Sequence, residues 1–148
     1  MRFYAFGNMY LSSIQQGIQA AHVVGEMFIN FPETEWTATG EPDHYLYTWA
    51  VNHKTMILLN GGYGSNLHDL YEFFNQKGKN PYPYAKFHES GEALDGALTS
   101  VGIVLPEKIY EGAAMLRKGK DGDTIDFDKY TAWEIQLMER LTTFGMAK

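Results

Sequence analysis

Between residues 12 and 28, in SSIQQGIQAAHVVGEMF, the polar residues Gln15, Gln19, His22 and Glu26 recur in steps of four, three and four. On a helix that spacing sets two amides, an imidazole and a carboxylate along one strip, where they could hydrogen-bond a ligand or move a proton. Small Gly17, Ala20 and Ala21 surround the strip and leave room for a flat ring or a backbone to come close. A lone helical histidine is more often a solvated or hydrogen-bonded part of the scaffold. Periodicity alone therefore makes a line of polar groups, and other residues must complete it.

Other stretches offer further chemistry. HKT at 53–55 and HES at 88–90 share the His-x-Thr/Ser pattern that two-histidine phosphoesterases use in acid-base work on phosphodiesters. GGYG at 61–64 could present backbone N–H groups to a phosphate, although no Walker lysine follows and a plain turn explains it better. His22, His44, His53, His68 and His88 show no HxxxH or HExxH spacing, and the chain has no cysteine. Disulfides, thiol catalysis and cysteine-held metals are excluded, and no metal site is expected.

Rigid elements must hold these groups. RFYAF at 2–6 has strand composition and ends at Gly7-Asn8. Ser12 or Ser13 can cap the following helix, in which Ile14, Ile18, Ala21 and Phe28, widened by Val24 and Met27, predict the core-facing side, with Pro32 closing the segment. Residues 33–48 mix turn formers with aromatics and read as a long loop or a short helix. HKTMILLNGG at 53–62 predicts a buried central strand, and Ser65 or Asn66 begins a second helix with Leu67, Leu70, Tyr71 and Phe74 inward and Lys77-Gly78 at its end. YAKFH at 84–88 alternates as a strand does, and ALTSVGIVLPEKIY at 97–110 is an apolar, β-branched stretch stopped by Pro106. Thr131 and Glu134 form a capping-box pattern before Trp133, Leu137, Leu141 and Phe144, which predicts a C-terminal helix packed on the sheet.

A chain of 148 residues suits one domain, and 45% hydrophobic with 20% charged residues is an ordinary globular composition. Twelve Lys and Arg against 18 Asp and Glu give a net charge of −6, without the broad positive field that concentrates duplex nucleic acid. The one basic cluster, Arg117, Lys118 and Lys120 in RKGKDGDTIDFDK, is cancelled locally by four aspartates and reads as a solvated connection. The N-terminus is unlike a secretory signal and no apolar run approaches spanning length, so a soluble cytoplasmic protein without membrane contact is expected.

Taken together, IQQGIQAAH at 14–22 and YPYAKFHESGEALDGALTSVGIVLP at 82–106 resemble the peptidyl-tRNA hydrolase 2 family. The resemblance covers roughly residues 2–108, with the irregular middle unmatched. It implies an α/β fold, a small mixed four-stranded sheet flanked by helices over residues 1–110, with 111–148 as an added extension carrying a helix. That family cleaves the ester between a peptide and the tRNA 3′ adenosine without a metal, using a helix histidine, a helix lysine and an Asp-x-Gly-x-Thr segment. By position, Gln19 and His22 are retained; the lysine falls at Gln15, the aspartate at Glu89 with Gly91 kept, and the following Arg-Thr pair at Glu92-Ala93. Neutral Gln15 cannot supply a cation's phosphate attraction or charge stabilisation, and Glu92 pushes the same way.

Two functions follow from this resemblance and its departures. The first is a binding protein that holds a small adenine-nucleotide-like ligand and sequesters a nucleotide signal, with Gln15, Gln19, His22, Glu89, Ser90 and Gly91 as ligand contacts. The alternative is an active peptidyl-tRNA hydrolase acting on the tRNA 3′ end, with His22 and Glu89 as its catalytic pair. Neither requires a cofactor. Exposed Met and aromatic positions on the C-terminal helix are expected to support a homo-oligomer.

Overall fold

A computed structural model describes residues 1–32, 45–90, 96–118 and 125–146. Strand β1 (Arg2–Gly7) turns Phe3 and Ala5 to one side and Tyr4 and Phe6 to the other, and all four are buried. A strand sealed on both faces needs a helical layer on each. β2 (Met56–Asn60) pairs parallel with β1, β4 (Leu98–Leu105) pairs antiparallel on its other side, and β3 (Tyr84–His88) pairs antiparallel with β4. The result is an α/β fold whose open, mixed four-stranded sheet has the order β2-β1-β4-β3.

One face carries α1 (Ser13–Asn30) and the short α2 (Tyr45–Thr48), which runs into a π turn at Trp49–His53. Val23, Met27, Leu46 and Trp49 meet Phe3, Ala5, Ala85 and Val104 there. The opposite face carries α3 (Gly64–Phe74), α4 (Glu107–Lys118) and the C-terminal α5 (Ala132–Leu141), which enclose Tyr4, Phe6, Val101 and Ile103 with Leu67, Phe74, Ile109 and Trp133. Residue 110, the boundary drawn from the sequence, thus falls inside α4, and the C-terminal helix shares the core of the strands.

The inward side of α1 differs from expectation. Ile14 and Ile18 are 78% and 51% exposed, Ala21 and Phe28 are also exposed, and the buried residues are Gln16, Gln19, Ala20, Val23 and Met27. Two glycines explain the rotation. A Cβ on Gly102 would lie 2.5 Å from Phe3 and 2.8 Å from Val23, and one on Gly7 would lie 2.5 Å from the Gln16 Oε1. The helix therefore settles where the sheet surface is bare, and two glutamines enter: Gln19 is bonded at both ends of its amide, and Gln16 Nε2 donates to Leu11 O at 3.0 Å.

Three other expectations change. β2 lies at the sheet edge rather than its centre, with Met56 exposed, and the C-terminal segment covers part of that edge through a Leu59–Met146 bridge and an Asn60 N–H donating to Gly145 O at 2.8 Å. α4 occupies a stretch read as strand end and connection: Pro106 stops β4, then Ile109, Gly112 and Ala113 form a narrow buried stripe on a largely polar helix. On α5, Trp133 and Met138 are buried, so this helix does not offer them for self-association. No described helix is long and apolar enough to cross a membrane.

Candidate functional site

The chain enters α1 shortly after the carboxyl end of β1, and Glu89 and Ser90 directly follow the carboxyl end of β3. Both sets of groups therefore rise from the edge of the sheet where α/β folds commonly place ligands. β3 runs parallel to β1, because each is antiparallel to β4.

Gln19 joins the two elements. Its Nε2 donates to Glu89 Oε2 at 2.7 Å, and its Oε1 lies 3.2 Å from the Thr99 hydroxyl, which is also 3.2 Å from Phe87 O. Thr99 reaches the α1 side because the β3–β4 register shifts between Phe87 and His88. A bulge of this kind re-aims a side chain beside a site. The other Glu89 oxygen accepts from Ser90 N at 3.0 Å, while Glu89 N donates to Ala97 O at 2.9 Å. Hydrogen bonds from the Ser90 N–H and the Gln19 amide, helped by nearby His22, outweigh desolvation and hold the Glu89 carboxyl below its ordinary range.

His22 is exposed, and its ring lies flat on Phe87 with centroids 4.3 Å apart and planes 8° from parallel. This fixes the imidazole plane while leaving an edge open to solvent. Beneath the strip, Gln16 Oε1 and Ser100 Oγ are buried without a hydrogen-bond partner. Ser100 pairs across the sheet with Gly7, over which Gln16 Oε1 sits, so the two buried polar atoms lie on the same side of the sheet. Such atoms ordinarily take a water or a ligand group.

The remaining sequence candidates separate. Gln15 is exposed and closes the capping box of α1: Ser12 N donates to its Oε1 and Gln15 N donates to Ser12 Oγ, both at 3.2 Å. Gly91, with Glu92 and Ala93, lies outside the described residues. His53 precedes β2 and is 3.0 Å from the Met1 amino group, whereas His88 ends β3 and its Nδ1 is 2.9 Å from Gly96 O. The two His-x-Thr/Ser tripeptides thus stand at opposite edges and opposite ends of the sheet, and cannot act as a pair. In GGYG, Gly61 N donates to Gly7 O and Gly62 N to Asn60 Oδ1, each at 2.9 Å, so those two N–H groups serve a turn. Among the described residues no three His, Asp or Glu side chains gather as metal ligands.

Thr99, Phe87, Gln16 and Ser100 were missed in the sequence. Their signal was indirect, since a polar Thr99-Ser100 pair opens an otherwise apolar strand that is buried along its whole length. The assembled set contains an oriented anionic acceptor and an accessible imidazole. Compared with known proteins, the chain matches no family model and no curated protein.

Proposed function

We propose that the protein binds a small adenine-nucleotide-like ligand over the Gln19–Glu89–His22 strip and holds it without rapid turnover. The observation that carries this reading is the Glu89 carboxylate, oriented by Gln19 and Ser90, with no cation hydrogen-bonded to it among the described residues. An ionised carboxylate selects donors, such as a pair of ribose hydroxyls or an exocyclic amine, and repels phosphate. His22 on Phe87 supplies a polar edge and a flat ring beside it, while Gln19 positions Glu89. In this reading the phosphate points toward solvent. Sequestering a nucleotide signal in the cytoplasm, away from membranes, would be the biological outcome.

The rival reading is an active hydrolase on the tRNA 3′ adenosine ester. Its support is the nearness of His22 to Glu89, which lets the imidazole act on water or the leaving group while the carboxylate orients it.

Two assays on the purified protein separate the readings: calorimetric titration with adenosine and AMP, and release of the N-acetylated amino acid from N-acetylated aminoacyl-tRNA. Saturable nucleoside binding, weakened at least tenfold by Glu89→Ala, with the ester intact, supports the binder. Turnover that disappears in His22→Ala overturns it in favour of the hydrolase. An intact ester with no binding removes both.

A further inference from the structure

We propose that the groove between α4 and the β1–β2 edge of the sheet is a second ligand site, taking a small anionic group carried on an aromatic or apolar body. A cavity of about 450 Å³ lies there, on the sheet face opposite α1. Its size falls within the range of roughly 300–1,000 Å³ typical of small-molecule pockets. Leu59 and Phe144 supply apolar wall, and Tyr4 and Tyr110 supply ring edges and phenols. Arg2 and Arg117 bring the charge.

The two arginines are not equivalent. The Arg2 guanidinium is engaged by the Tyr4 side chain and lies 4.0 Å from the Tyr110 ring centre, with Glu107 close enough to act on its charge. Arg117 stands seven residues beyond Tyr110 on the same helix, about 10 Å along its axis. The cations therefore stand toward opposite ends of the groove. Arg117 Nη2 donates to Leu141 O at 3.0 Å, which anchors the guanidinium, and among the described residues that is the bond its donor fork makes. Among the described residues neither arginine forms an ion pair. A bare anion would leave the apolar and aromatic walls unused, and a neutral ring would leave the fork unused. A ring with a phosphate, sulfonate or carboxylate satisfies both, its anionic end on Arg117 and its flat body against the walls.

This site is across the sheet from His22 and Glu89 and stands independently of their role. The test uses 1-anilinonaphthalene-8-sulfonate, an aromatic anion, in a fluorescence titration of the full chain. Saturable binding at one site is expected, at least tenfold tighter than for the neutral N-phenyl-1-naphthylamine. R117Q should weaken it at least tenfold, and R117K, which keeps charge without the fork, should fall between. Ala114 is an exposed residue of the groove wall, so A114F keeps both arginines and the core while filling the cavity, and it should abolish binding. Displacement by phenyl phosphate or by benzoate identifies the preferred anionic group. Equal affinity for the neutral probe, indifference to both R117Q and A114F, or displacement by neither anion overturns the proposal.

Discussion

At Gln19 a single side chain links helix, strand end and bulge, since its amide spans Glu89 and Thr99. Removing it should free the carboxylate rather than delete a ligand contact. In Gln19→Ala the Glu89 carboxyl should titrate closer to the ordinary glutamate value, about 4.3, than it does in the wild type, as followed by carbon-detected NMR. An unchanged titration would mean that Gln19 does not orient Glu89. Because Glu89 titrates lower in the folded chain than in the unfolded one, its stabilisation is complete above the unfolded value. It is lost as pH falls through the folded value. Gln15 makes the opposite case. Its position in the strip suggested a ligand contact, but its side chain is committed to the cap of α1, so Gln15→Ala should cost about 1 kcal/mol of stability in urea denaturation.

Among the elements, α1 tests the helix face directly. Ile18→Lys should change stability by less than about 0.5 kcal/mol, whereas Met27→Ala should cost about 2 to 4 kcal/mol, because Ile18 is half exposed and Met27 is sealed. The reverse order would restore the face expected from hydrophobic spacing. α5 rests on a buried carboxylate: Glu134 accepts from Tyr82, from Thr131 N at 3.0 Å and from Lys108 at 3.1 Å. Burial pushes this carboxyl up, but the bonds from Thr131, Tyr82 and Lys108 win and hold it below its usual range. Glu134→Ala would strand the Tyr82 hydroxyl in the core and remove the capping box, costing about 3 kcal/mol in urea unfolding. The stability it gives is again full above the unfolded glutamate value and decays as acid titrates the folded form. A loss below about 1 kcal/mol would show that the buried cluster contributes little.

Over the whole molecule, most of the element pattern was legible from the sequence, because strand composition and caps are local signals. β1, β3, β4 and the Thr131–Glu134 cap all appear where the spacing put them. Side and order were not legible, since each depends on what the sheet presents: Gly7 and Gly102 turned α1, and the C-terminal segment let an apolar β2 sit at an edge. The site was half legible. Gln19 and Glu89 meet across 70 residues of sequence, and the threonine that braces them faces α1 only through a register shift.

The histidine rings report directly on ligand binding at the Gln19–Glu89–His22 strip. With ring-labelled histidines, titration by AMP followed by NMR should move His22 along a saturating curve that Glu89→Ala flattens, while His53 and His68, away from the strip, stay fixed. A His22 signal that does not respond to AMP, or one that moves equally in Glu89→Ala, would contradict the account.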